Sequence, residues 1–226
     1  VVRVIAGRSR GRILRAPTGS RTRPTADRVR EAIFDMLGSL VDLKGATVAD
    51  LFAGSGAMGI EALSRGAGAV VFVDRAAAAL RAVRSNLVAV GMQDARVSLV
   101  RADVLAWLSR PARPARPARP ARPASVALGS PKWFDLVLCD PPYAFVAWGE
   151  LLRLLDAGIA VLETNRPIEV PGNWKVVRHK RHGGTLLTVV RAVGTQPSGG
   201  SCDDDGERGR VAGLDITSET NQRGTP

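Results

Sequence analysis

Aromatic side chains are scarce in this chain of 226 residues: Trp, Tyr and Phe together make up 4%, and Tyr143 is the single tyrosine. A core must therefore rest on Val, Leu, Ile and Ala. The 45% hydrophobic fraction suffices for one ordinary domain with appendages. The two cysteines, Cys139 and Cys202, have neither metal-ligand spacing nor the pattern of a disulfide framework. Cys139 ends an apolar run and reads as a buried thiol. The two histidines, His179 and His182, sit in a basic stretch without partners for a metal site, so no metal is expected. No apolar run approaches the length needed to span a bilayer and no signal-peptide pattern is present, so the expectation is a cytoplasmic protein with no membrane partner.

Lysine is rare as well. Of 32 basic residues only Lys44, Lys132, Lys175 and Lys180 are lysines, against 21 acids, for a formal net charge of +11. Arginine presents a planar fork that grips phosphate and stacks on bases. A G+C-rich genome would also enrich arginine, but the placement is uneven. Residues 1–30 hold nine arginines and the single acid Asp27, whereas residues 195–226 hold six acids and three arginines. A basic amino end of this kind suits a polyanionic partner, above all nucleic acid.

Along the chain, residues 1–22 read as a small basic hairpin. Arg3-Val4-Ile5 and Arg12-Ile13-Leu14 are its strands, and Gly7 and Gly11 flank the turn. A helix follows, with Ala26, Val29, Ile33, Phe34 and Leu37 on one face, Thr25 or Asp27 as its cap and Gly38 as its stop. From about residue 45, strands alternate with helices. The strands are 47–52, 69–73, 96–100, 134–139 and 159–163, and a hairpin of 174–180 and 185–192 closes the series. That alternation implies an α/β fold with a mostly parallel sheet, to which the last hairpin adds antiparallel edge strands. The expected organisation is a basic RNA-binding extension over residues 1–40, a main domain over 41–194, and a disordered tail over 195–226. Residues 110–124 interrupt the main domain with five Arg-Pro-Ala triplets, a polyproline II arm of roughly 45 Å at about 3.1 Å per residue. The arm could carry its arginines to RNA or be a neutral loop expansion.

Two motifs carry chemistry. The first is Asp50-Leu51-Phe52-Ala53-Gly54-Ser55-Gly56-Ala57-Met58-Gly59, between a strand and a helix. Gly54 and Gly56 allow a tight turn and close approach of a ligand to the backbone. Asp74 lies 20 residues beyond Gly54 at the end of the next strand, where a βαβ nucleotide site places the carboxylate that binds ribose hydroxyls. The turn resembles the AdoMet-binding loop of class I methyltransferases. That resemblance implies S-adenosyl-L-methionine as cofactor, held by Phe52, Ala53, Gly54 and Gly56, with Asp74 on the ribose, Asp103 on the adenine amino group and Asp50 near the methionine ammonium.

The second motif, Asp140-Pro141-Pro142-Tyr143, ends the fourth strand, where open parallel sheets bind their ligands. The lone pair of an exocyclic amine is delocalised into its base. A carboxylate (Asp140) and a carbonyl (Pro141) that accept its two hydrogens hold the nitrogen and localise that pair. The two prolines stiffen the turn, and Tyr143 offers a stacking face for a flipped base.

This motif resembles those of amino-methyltransferases acting on adenine N6, cytosine N4, guanine N2 or, with Asn first, protein glutamine. The amino end narrows the choice. Arg3-Val4-Ile5-Ala6-Gly7, Arg10-Gly11-Arg12 and the run Arg23-Pro24-Thr25-Ala26-Asp27-Arg28-Val29-Arg30-Glu31-Ala32-Ile33-Phe34 are similar to the bacterial 16S rRNA guanine-N2 methyltransferase (RsmD-like) family, as is Phe52 through Gly66. The resemblance covers roughly residues 3–192 and implies a seven-stranded Rossmann-like sheet, a monomer, and small-subunit 16S rRNA as partner. Arg8, Arg10 and Arg12 would grip phosphates, and Arg23, Arg28 and Arg30 would line the cleft. Ordinary helix pairs such as Asp27 with Arg30 are the alternative for the last group. A DNA adenine-N6 methyltransferase shares both motifs, but only about 80 residues separate Gly59 from Asp140, which leaves no room for a DNA-recognition domain. A non-catalytic assembly factor on the same fold would need none of the intact motif residues.

Overall fold

The computed structural model describes residues 2–17, 27–110 and 133–194. The Arg-Pro-Ala segment beyond Arg110, the acidic tail, Arg23 and Thr25 lie outside the described residues.

Fourteen elements are present among the described residues: β1 (Val2–Arg3), β2 (Ile13–Leu14), α1 (Asp27–Leu37), β3 (Thr47–Leu51), α2 (Ala57–Ser64), β4 (Ala69–Asp74), α3 (Ala77–Ala89), β5 (Val97–Arg101), α4 (Val104–Leu108), β6 (Phe134–Cys139), α5 (Trp148–Leu154), β7 (Ala157–Thr164), β8 (Trp174–His182) and β9 (Thr185–Ala192). The strand and helix ends fall within a few residues of those the periodicity predicts. Gly38 closes α1 by donating to the Phe34 carbonyl at 3.1 Å.

β1 and β2 form a two-stranded antiparallel sheet. The other seven strands form one sheet in the order β5-β4-β3-β6-β7-β9-β8. β5, β4, β3, β6 and β7 run parallel; β9 is antiparallel to both β7 and β8. The inner strands are continuous apolar runs because both faces are covered. Alternate residues of each strand feed two cores. Val48, Val70, Phe72, Leu138 and Val161 pack with α1, α2, α3 and the small hairpin. Ala49, Leu51, Val71, Val73, Val137 and Leu162 pack with α4 and α5. The edge strand β8 is mostly exposed and carries Lys175, Arg178, Lys180 and Arg181, charges that discourage pairing with a further strand.

The small hairpin is built into the first core rather than appended to it. Val2, Val4 and Leu14 are buried there beside Ile60, Leu63 and Val83. Gly7 has φ +80°, and a Cβ on it would lie 1.9 Å from the Ser64 carbonyl oxygen, so only glycine permits this approach to α2. Glu61 and Ser64 of α2 complete the attachment. Glu61 accepts the Ile5 and Ala6 N–H groups at 2.7 and 3.0 Å, and the Ser64 hydroxyl donates to the Ala6 carbonyl at 2.6 Å.

Candidate active site

The chemistry-bearing residues collect at the carboxyl ends of β3, β4, β6 and β7. Beyond β3 the chain turns sharply. Phe52 adopts φ +63°, a strained value for a residue with a side chain, and Gly54 and Gly56 follow at +53° and +76°. Asp74 at the end of β4 holds this turn: its Oδ2 accepts the Gly54 N–H at 2.9 Å and its Oδ1 the Ala76 N–H at 2.8 Å. A Cβ on Gly56 would press on Val83 at 2.9 Å, whereas one on Gly54 would meet little but the Phe52 carbonyl at 3.9 Å. Gly54 thus faces the open side of the turn, where a ligand can approach the backbone. Asn86 of α3 braces the turn from behind. It donates to the Ser55 and Arg15 carbonyls, both at 2.9 Å, and accepts the Arg15 N–H at 2.8 Å, which ties the turn to the end of the small hairpin.

Asp50 is nearly inaccessible, and its Oδ2 accepts the Gly59 N–H at 2.8 Å across the start of α2. Burial pushes its carboxyl well above the usual carboxylate range; the Gly59 N–H opposes this, and the charges of Asp140 and Asp74 add to it. Asp103 caps α4 by accepting the Ala106 N–H at 3.1 Å.

Asp140 follows β6 directly and is half-buried. Pro141 is buried, while Pro142 and Tyr143 are exposed. The Phe145 N–H donates to the Pro142 carbonyl at 2.8 Å, which closes the turn. Phe145 then meets Phe52 edge to face at 5.2 Å between centroids and Trp148 at 5.1 Å. The first motif and the residues that directly follow the second are therefore in direct aromatic contact. Next to Asp140, the Cys139 thiol is held protonated by burial and by the charges of Asp50 and Asp140.

One member of the site escaped the sequence reading. Glu163, near the end of β7, is 6% exposed, and its Oε2 has no hydrogen-bond partner. Burial, then the charge of Asp140, pushes its carboxyl up to about 8. The available signal was a lone carboxylate near the end of an otherwise apolar strand. Glu61 and Asn86 were likewise not given roles; polar residues within helical apolar patterns carry no mark of whether they are satisfied.

The arginines divide. Arg8, Arg10, Arg12 and Arg28 are exposed. Arg30 is fully buried, donating from Nη2 to Asp27 Oδ1 at 3.0 Å and to the Arg3 carbonyl. It has no exposed surface from which to reach RNA, and it joins β1 to α1 in the helix-pair alternative. Arg3 reaches the same Asp27 at 3.2 Å. A hollow of about 510 Å³, lined by Phe34, Leu37–Leu43 and Arg65, lies at the amino end of the sheet and contains no motif residue. Among the described residues no group of three or more metal-ligating side chains occurs, and no helix is long and apolar enough to cross a membrane.

A sheet in this order, a glycine turn after its first central strand clamped by the acid of the next, and Asp-Pro-Pro-Tyr after the fourth define a class I methyltransferase fold with an amine-directed motif. Within that class the chain belongs to the family described as Conserved hypothetical protein 95, whose model matches residues 2–118. It is 34% identical over 203 residues to YlbH of Bacillus subtilis, covering 85% of this chain and 100% of that one. To the Ribosomal RNA small subunit methyltransferase D of Escherichia coli K12 it is 31% identical over 192 residues, covering 80% and 85%. The solved structure of Escherichia coli yhhF matches with a TM-score of 0.67 at 27% identity, covering 84% of this chain and 97% of that one.

Proposed function

We propose that this protein transfers the methyl group of S-adenosyl-L-methionine to the exocyclic N2 amine of a guanine in small-subunit 16S rRNA, acting as a monomer in the cytoplasm. The observation that carries this reading is the contact between the first motif and the residues that directly follow the second. The clamped glycine turn and the Asp140–Tyr143 turn meet through Phe52 and Phe145, so a cofactor and an amine would share one opening. Likeness over most of the chain to an enzyme named for ribosomal small-subunit RNA supports the choice of substrate.

The residues present fit the cofactor. The open side of Gly54, with the carboxylate of Asp74 beside it and Asp103 following the next strand, suits a ligand carrying hydroxyls and an amino group, and Asp50 lies buried below the turn. The bound cofactor would supply an electrophilic methyl on a sulfonium. Asp140 and the Pro141 carbonyl accept the two amine hydrogens and hold the nitrogen in line, which makes the encounter effectively unimolecular. Tyr143, 48% exposed, offers its ring to the flipped base. Arg8, Arg10 and Arg12 surround the hairpin turn and would meet phosphates, setting affinity rather than sequence choice. In this scheme the small hairpin and α1 form the RNA-binding part, and residues 41–194 the catalytic part.

The test is transfer of labelled methyl from AdoMet to small subunits from a strain lacking the enzyme, followed by nucleoside analysis. N2-methylguanosine in the rRNA is expected. Asp140→Ala should abolish turnover while AdoMet binding largely survives; equal loss of both would argue against the amine-holding role. Label in N6-methyladenine of duplex DNA, with none in rRNA, would replace the proposal.

A further inference from the structure

Glu163 is the one buried acid of this site for which the mechanism above has no use. Its placement follows from sheet register. Cys139 of β6 and Leu162 of β7 are paired, so the residues after them, Asp140 and Glu163, leave the same rung of the sheet side by side. Leu138 and Val161 pack in the first core while Cys139 and Leu162 pack in the second, so alternation puts Asp140 and Glu163 on the same face. Glu163 therefore lies beside the amine-holding aspartate across the β6–β7 pairing. On its other side β9 presents the uncharged Leu187, and the next charge along the row is Lys180 of β8.

A buried carboxyl oxygen with no partner costs free energy that natural cores rarely tolerate without a reason. A donor arriving with the substrate would supply the missing partner. The proposed substrate carries such a donor: in guanine the ring N1–H lies immediately beside the exocyclic N2 amine. In adenine and cytosine the ring nitrogen beside the amine is an acceptor.

Resting on the guanine-N2 reading, we propose that Glu163 is a specificity-determining residue whose unpartnered Oε2 accepts the N1–H of the base held by Asp140 and Pro141. The site then takes an amine flanked by a ring donor and rejects one flanked only by acceptors. No proton need leave N1. Its hydrogen bond to a carboxylate draws electron density toward the neighbouring N2 and so assists the attack. Ionised Glu163 can only accept, whereas its neutral form also carries an O–H that can donate to a ring acceptor; burial and Asp140 hold its carboxyl up at about 8. The preference for guanine over an amine flanked only by acceptors should therefore rise with pH through that region.

The experiment compares guanine with 2-aminopurine, which keeps the C2 amine but has only acceptors beside it, placed at the mapped methylation site of reconstituted small subunits. Above about pH 8, where Glu163 is ionised, wild-type enzyme should prefer guanine in kcat/KM by about 100-fold or more, because a site built around a donor leaves its own acceptor unpaired when the donor is missing. Glu163→Gln, nearly isosteric, should lower kcat/KM on guanine by about 10- to 100-fold. It should also narrow the preference, because its amide can donate to an acceptor nitrogen, and flatten the rise with pH. Ionisation of guanine itself is common to both proteins and cancels in that comparison. Equal wild-type rates on the two bases, or an unchanged preference in Glu163→Gln, would overturn the role of Glu163 and leave the methyltransferase reading intact. A wild-type enzyme that leaves guanine unmethylated would sink that reading, and this role with it.

Discussion

Glu61 and Glu163 are both buried glutamates, and they differ in what surrounds them. Glu61 in α2 is fully satisfied: Ile5 N–H, Ala6 N–H and Arg65 Nε–H approach at 2.7, 3.0 and 2.8 Å. Glu163 in β7 has an oxygen that nothing meets. A buried carboxylate with a full set of donors is a fastener. One left short beside another acid is a cost the fold carries, and such costs concentrate where a ligand can relieve them. Region by region, the small hairpin and α2 are knit together by hydrogen bonds to Glu61 and Ser64, while the carboxyl ends of β3, β6 and β7 gather three acids, Asp50, Asp140 and Glu163, of which Glu163 keeps an unpartnered oxygen.

The largest effect expected is at the fastener. Glu61→Ala strands two backbone N–H groups and the Arg65 cation, and should destabilise the protein by about 3–5 kcal/mol, the usual cost of breaking a buried ionic network from one side. A denaturant titration measures it. Limited proteolysis should show the amino-terminal segment released first, since Ile5 and Ala6 lose their anchor. A midpoint unchanged from wild type would erase the contrast between the two glutamates.

The opposite sign is expected at the other carboxyl. Burial and Asp140 raise Glu163 from the ordinary 4.5 to about 8 in the folded protein. Below pH 4.5 the side chain is neutral whether folded or unfolded and its ionisation contributes no cost. As pH rises from there toward 8, the unfolded chain ionises and the folded one resists, so stability is lost across that window and the loss is complete above it. Glu163→Gln removes the titration. It should stabilise the protein by roughly 2–4 kcal/mol at pH 9 and by nothing measurable at pH 4. Thermal unfolding of both proteins at the two pH values checks this; a variant less stable than wild type at pH 9 would mean that Glu163 is a second fastener.

How much of this was legible in the sequence follows from the same contrast. Apolar periodicity in runs such as Ala69–Asp74 and Phe134–Cys139 set the strands, and glycines and prolines set the turns between them, because those signals are local. The motif residues were legible because their chemistry is concentrated: Gly54, Gly56 and Asp74 converge on one turn, and Asp140 to Tyr143 are contiguous. The Phe52–Phe145 contact was not, since it depends on β3 and β6 lying side by side, a fact of topology. Glu163 was missed for the same reason, as its meaning comes from pairing β6 with β7 in one register. Arg30 illustrates the converse. Among nine arginines in the first thirty residues, nothing in composition distinguishes one wholly buried against Asp27 and the Arg3 carbonyl from those standing in solvent.

That division of the arginines sets the smallest effect. Arg8, Arg10 and Arg12 stand exposed at the turn of a hairpin whose backbone is held by Glu61 and Ser64, so replacing any one with alanine should leave the fold and AdoMet binding unchanged. If each meets one phosphate, each replacement should lower the slope of log affinity for small subunits against log salt by about 0.7–0.9, in keeping with the release of one counterion per neutralised phosphate. The affinity lost should be largest at low salt and fade as salt rises, while the preference for guanine over 2-aminopurine stays as in wild type. A change in base preference would mean that the hairpin takes part in reading the substrate. An unchanged salt slope in the triple variant would remove the hairpin from the RNA interface and leave the excess charge of the amino end without an assigned partner.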